Sequence, residues 1–108
     1  MTQKTLKGVG VSPGKFKGKV KKIIDIKELE DLEQGNVLVT NITKLPYNQF
    51  TKRAGAIITN KGGMLSHVAN LAREFAIPCV VIKNAMNILN NGDIVEVDAD
   101  RGVIKIIE

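Results

Sequence analysis

The sequence predicts an α/β domain, a compact β/β/α arrangement with mixed sheets. Short apolar runs such as NVLVT, AIIT and CVVI alternate with helical patterns, which argues for strands layered against helices. Both ends of the chain read as β, so the sheets should not be purely parallel. A length of 108 residues gives one domain over 1–108, large enough to bury a core without metal or disulfides.

Each element has its own signal. Gly8 to Val11 is a short apolar run, Ser12-Pro13-Gly14 a turn, and Lys15 to Ile24 a longer strand. Ile26 to Glu33 is expected to be a short helix ended by Gln34-Gly35, followed by a buried strand from Asn36 to Thr40. Pro46 suits a helix start, so Tyr47 to Arg53 is read as a helix that Gly55 ends. Ala56 to Thr59 is a second buried strand. The loop NKGGML then leads to a helix from Ser66 to Phe75. Val68, Leu71, Ala72 and Phe75 fall at i, i+3, i+4 and i+7, which makes one apolar face. Ile77-Pro78 marks the exit, and Cys79 to Ile82 is a third buried strand. Asn90-Asn91-Gly92-Asp93 is a turn. Ile94 to Asp98 and Val103 to Ile107 then flank a hairpin turn at Asp100-Arg101-Gly102.

Composition bounds the function. Hydrophobic residues make up 44% and charged residues 25%, the balance of an ordinary globule, and no apolar run approaches the ~20 residues of a membrane span. The N-terminal MTQKTLKG has no apolar signal region, so a cytoplasmic location is expected. A start at Met1 without a tag leans toward a stand-alone protein. Cys79 is the single cysteine, which excludes an internal disulfide and a multi-cysteine metal site. The net charge is +5, and Lys15, Lys17, Lys19 and Lys21 alternate along one predicted strand. That stripe is either a surface for phosphates or acidic partners, or a solvated face that discourages edge pairing. With no Trp, one Tyr and three Phe there is no stacking platform, so nucleic acid and membrane are not expected as partners.

The segment from Gly62 to Val81 carries the chemistry. Gly62 and Gly63 free the backbone at a helix entry, Ser66 can cap, and His67 falls in the first turn. The first N–H groups of a helix lack partners and carry partial positive charge, which suits a phosphoryl group. A neutral imidazole there offers a nitrogen as nucleophile. A lone histidine beside an apolar face is also a common packed side chain, and both readings stand on position alone. Metal binding is disfavoured, with no HExxH, no second histidine and no cysteine pair. A Ser66–His67 catalytic pair is disfavoured because helix neighbours do not face each other.

The same segment resembles the phosphohistidine motif of the mobile, or swivelling, domain of phosphoenolpyruvate synthase, pyruvate phosphate dikinase and related phosphotransferases. The motif runs GG-x-T-[SC]-H-A-A-x-x-A-R-E-x-x-I-P-x-V-V. Gly62, Gly63, Ser66, His67, Ala69, Ala72, Arg73, Glu74, Ile77, Pro78, Val80 and Val81 match it without a gap. GVGVSPGKFKGKV, GNVLVTNIT and GDIVEVDADRGVIKII resemble the family's opening, central and closing segments. The resemblance implies a swivelling domain in which His67 is the phosphoacceptor, taking a phosphoryl group from phosphoenolpyruvate or a nucleotide-derived donor and delivering it to a second site. It implies that Gly62 and Gly63 permit close approach and that Ser66 supports His67. Arg73 and Glu74 belong to the motif, and ion pairs, local or between domains, are expected of them rather than chemistry.

Leu65 stands where many members carry a threonine that can be a regulatory phosphorylation site, so that control is not expected here. Val68 replaces a common alanine, Asn70 takes a usually apolar position, and Ala99 and Asp100 stand where glycine is usual. The chain has no Walker-type loop and no evident carboxylate cluster for Mg²⁺. The resemblance therefore implies a carrier that does not turn over alone. It would bind no cofactor itself, and its partners would be a PEP-binding barrel and an ATP-grasp-like nucleotide-binding domain that hold the Mg²⁺. The alternative is a non-catalytic regulatory or binding module that keeps the fold.

Overall fold

The computed structural model describes residues 4–107. The strands are β1 (Lys4–Lys7), β2 (Val9–Ser12), β3 (Lys15–Ile23), β4 (Val37–Thr40), β5 (Ala56–Thr59), β6 (Cys79–Val81), β7 (Ile94–Asp98) and β8 (Val103–Ile106). The helices are α1 (His67–Glu74) and the single turn α2 (Ala85–Ile88), with 3-10 turns at Ile26–Asp31 and Thr51–Arg53. The strands run in the order β1-β8-β7-β3-β4-β5-β6-β2. The β1-β8-β7-β3 part is antiparallel, β3 to β6 pair in parallel, and β2 closes the far edge antiparallel to β6. The expected α/β class and mixed sheet are thus present.

Strand alternation builds the layers. Leu38, Ile57 and Cys79 join Val68, Leu71 and Ala72 of α1 in one buried cluster. Their strand neighbours Val37, Val39, Ala56, Ile58 and Val80 face the other way and pack with Val95, Val97 and Ile104 of β7 and β8. Side chains that point to opposite faces with period 2 therefore separate two cores, and the order is antiparallel sheet, parallel sheet, helix. β3 belongs to both sheets. Its first half pairs with β7 and its second half with β4.

Several expectations need correction. The helix expected at Tyr47 to Arg53 is a 3-10 turn at Thr51–Arg53 only. Asn48 Oδ1 accepts from the Phe50 and Thr51 N–H groups, a local bond that competes with helix formation. The short helix expected over Ile26 to Glu33 is present as a 3-10 helix that stops at Asp31, started by a capping box between Asp25 and Glu28. β1 was not foreseen because KTLK is too short and polar to signal a strand; it pairs along β8. The one-turn α2 was also not foreseen; it tucks Ala85 and the following Leu89 into the second core. The lysine stripe does not protect an edge, since β3 lies inside the sheet. Lys15, Lys17 and Lys19 are exposed and Lys21 is half-buried. Lys15 lies opposite Asp98, and Lys17 lies opposite Glu96, which in turn faces Lys105. Among the described residues no helix is long and apolar enough to cross a membrane.

Candidate functional site

α1 fills the β5-to-β6 crossover, so its first turn sits where the chain leaves the carboxyl end of β5. The carboxyl ends of parallel strands are where open α/β sheets place ligands. Ser66 is the N-cap, with its Oγ accepting from the Ala69 N–H at 3.2 Å. Gly62 has φ +134, and a Cβ there would lie 2.9 Å from Ser66 Oγ. Glycine at 62 is therefore demanded by the turn and the cap together. Gly63 is different: nothing lies within 4 Å of where its Cβ would be. The chain's own packing does not require it.

His67 begins the helix and is exposed. Its Nε2 lies 2.7 Å from the Leu45 carbonyl oxygen. A carbonyl only accepts, so Nε2 carries the hydrogen and donates; in the neutral tautomer with this bond the lone pair is on Nδ1. The Tyr47 ring stands edge-on to the imidazole, with centroids 5.4 Å apart, and edge-on to Phe75 at 5.6 Å. The segment after β4 thus holds the ring by one hydrogen bond and one aromatic contact. A cavity of about 270 Å³ opens beside it, lined by Thr43, Lys44, Lys61, Gly62, Ser66, His67 and Val68.

Arg73 lies one face round the helix from this cavity. It donates to the carbonyls of Val11 at 2.7 Å and Met64 at 2.6 Å, and to Asn70 Oδ1 at 2.6 Å. It makes no local ion pair among the described residues, where its partners are neutral oxygens; a pair between domains lies outside a single domain. It ties the end of β2 to the loop before α1, and the unusual Asn70 is one of its acceptors. Glu74 is exposed and has no ion pair among the described residues. Leu65 is 91% exposed and Met64 56%, so the loop presents apolar side chains outward beside His67. Cys79 is buried in the first core, and burial pushes its thiol up to about 12. It is no nucleophile near neutral pH. Among the described residues no three His, Cys, Asp or Glu side chains gather to hold a metal.

The sequence brought forward Gly62, Gly63, Ser66, His67 and Arg73; the structure places the first four at the start of α1, while Arg73 lies in its last turn and only its side chain reaches back, to the Met64 carbonyl. Leu45, Tyr47, Lys44 and Lys61 were missed. The signal for them was available in the alternation of strands, because loops leaving the carboxyl ends of adjacent parallel strands must meet.

A family model described as PEP-utilising enzyme, mobile domain, matches residues 32–102. The chain is 44% identical over 100 residues to a protein named probable phosphoenolpyruvate synthase from Archaeoglobus fulgidus, which covers 92% of this chain and 13% of that protein. It is likewise 44% identical over 100 residues to phosphoenolpyruvate synthase of Pyrococcus furiosus, with 92% and 12% covered. The chain thus spans about an eighth of the length of these relatives. Among solved structures, Thermococcus kodakaraensis aconitase X aligns with a TM-score of 0.74 at 24% identity, covering 97% of this chain and 99% of that one, a likeness of fold alone. A solution structure of an Enzyme I protein (nEIt) aligns with a TM-score of 0.57 at 28% identity, covering 73% of this chain and 33% of that one.

Proposed function

The chain belongs to the mobile-domain family of PEP-utilising enzymes, and from that premise we propose that it is a phosphoryl carrier in which His67 is the acceptor. The observation that carries this reading is an exposed imidazole, held by the Leu45 carbonyl, at the capped start of a helix and beside a cavity. An imidazole nitrogen attacks the phosphorus of phosphoenolpyruvate, the phosphorus–oxygen bond breaks, and enolpyruvate leaves. The nitrogen–phosphorus bond breaks in turn when a second site offers its acceptor. Attack through Nδ1 leaves the Leu45 bond in place, whereas attack through Nε2 requires the ring to leave it.

Phosphoryl transfer needs positioning and clamping of phosphate oxygens, for which this short chain has few groups of its own. A PEP-binding barrel and an ATP-grasp-like domain supply them in this reading, in cis or in trans, with Mg²⁺ held there. The chain then works in the cytoplasm as a carrier without independent turnover. The relatives extend far beyond the matched portion, which supports the need for further domains.

The test is intact mass at alkaline pH after mixing the chain with phosphoenolpyruvate, Mg²⁺ and the PEP-binding barrel of a related synthase. One acid-labile phosphoryl adduct, absent from His67→Ala, is expected. If neither that barrel nor lysate of the source organism produces an adduct, the chain is instead a binding module that keeps the fold without the chemistry. The fold permits this outcome, since a protein titled aconitase X shares it.

A further inference from the structure

We propose that Tyr47 is a positioning residue for His67, whose ring fixes the plane of the imidazole and so speeds uptake of the phosphoryl group. This deepens the carrier reading and rests on it for the rate. The 2.7 Å bond from Nε2 to the Leu45 carbonyl sets where one edge of the imidazole lies, but a carbonyl accepts over a broad range of directions. One such bond leaves the imidazole able to pivot about the N–H···O line. The Tyr47 ring closes that freedom. It stands at 83° to the imidazole with centroids 5.4 Å apart, an edge-on geometry that aromatic pairs prefer. Two constraints of different kind then define one orientation of the reacting ring.

Tyr47 is itself held. Its ring meets Phe75, the C-cap of α1, at 5.6 Å and 74°. The Lys52 ammonium lies over the same Phe75 ring at 5.1 Å. The segment that carries Tyr47 thus clasps α1 at both ends, at His67 and at Phe75. Leu45 and Thr51 anchor this segment, since both are fully buried. Asn48 locks the turn between them, accepting from the Phe50 and Thr51 N–H groups at 3.0 and 3.1 Å. Tyr47 is half exposed, so it adds little to the core while standing directly against the reacting group. Holding a reacting group in one orientation removes part of the entropy cost of reaching the transition state. Both contacts are made by the ring and neither by the hydroxyl, so phenylalanine should serve at this position and leucine should not.

The experiment compares the whole ¹⁵N-labelled chain with Tyr47→Leu and Tyr47→Phe in two readouts. The first is the ¹H–¹⁵N spectrum of the imidazole at a pH where it is neutral; His67 is the only histidine, so the signals are its own. The wild type and Tyr47→Phe are expected to show the Nε2–H form alone, and Tyr47→Leu a mixture of Nε2–H and Nδ1–H forms. The second is the rate of the phosphoenolpyruvate-dependent adduct with the related barrel. It is expected to fall about threefold to tenfold in Tyr47→Leu and to stay within about twofold of the wild type in Tyr47→Phe. The unshifted remainder of the backbone spectrum checks that the fold is kept. An unchanged imidazole spectrum in Tyr47→Leu overturns the positioning role whatever the rate does, and so does an unchanged rate beside an altered spectrum. Tyr47→Phe as impaired as Tyr47→Leu overturns it too, since the ring alone is then not enough. If the wild type takes up no phosphoryl group, the carrier reading fails, and the imidazole spectrum alone still decides whether Tyr47 holds the ring.

Discussion

The two halves of the molecule both carry lysines and a cavity, yet only one of them holds the histidine. The larger cavity, about 540 Å³, lies against the antiparallel half and is lined by Lys15, Lys17 and Lys105 together with Glu96 and Asp98. Its cations face acidic neighbours across the strands, and no nucleophile is present. The smaller cavity lies in the parallel half, where lysines come without carboxylates and beside the single histidine. Size does not mark the site. Strand direction does, because parallel strands bring the loops from their carboxyl ends together, whereas antiparallel hairpins exchange charge along a ladder.

The largest effect expected from this contrast is total. His67→Ala removes the phosphoryl adduct, whereas Lys15→Glu with Lys17→Glu and Lys19→Glu leaves its rate unchanged at low salt. A rate that falls with the charge reversal means that the antiparallel half docks a partner after all.

The alkaline limb of stability comes next. Cys79 is held as a thiol by burial, with Arg73 opposing more weakly. Its folded pKa lies above the unfolded one, so the stabilisation is complete below about pH 9 and is lost as pH rises toward 12. Cys79→Ala, followed by chemical denaturation against pH, should flatten that limb if the thiol is its source.

Within the parallel half the two glycines separate. Gly62→Ala should cost about 1–3 kcal/mol in denaturation through its left-handed φ and the Ser66 contact, while Gly63→Ala stays within about 0.5 kcal/mol. Equal costs would mean that the turn relaxes. Ser66→Ala should cost about 1 kcal/mol through the lost cap. The smallest effect belongs to the ladder: a double-mutant cycle on Lys17 and Glu96 should give a coupling of about 0.2–1 kcal/mol, fading with salt.

The legibility of the sequence follows the same division. NVLVT, AIIT and CVVI read correctly as buried strands because apolar runs between turn residues have few other homes, and SHVANLAREF read correctly as a helix from its 3.6-residue period. Tyr47 to Arg53 misled because Pro46 suits a helix start while Asn48 diverts the backbone to its side chain. KTLK was illegible because its strand character is conferred by β8. At the site, the motif pointed to His67 and its neighbours on the same helix. Leu45 and Tyr47 lie about twenty residues away, and nothing in a linear pattern says which carbonyl will meet an imidazole.

β3 has a mechanical consequence. One uninterrupted strand from Lys15 to Ile23 is hydrogen-bonded to β7 at one end and to β4 at the other, and β4 leads directly into the segment that grips His67. The domain therefore has a beam through it rather than a seam. A torque applied to the outer sheet reaches the imidazole through backbone bonds instead of dissipating in a slip between layers, so the histidine travels with the body that is pulled.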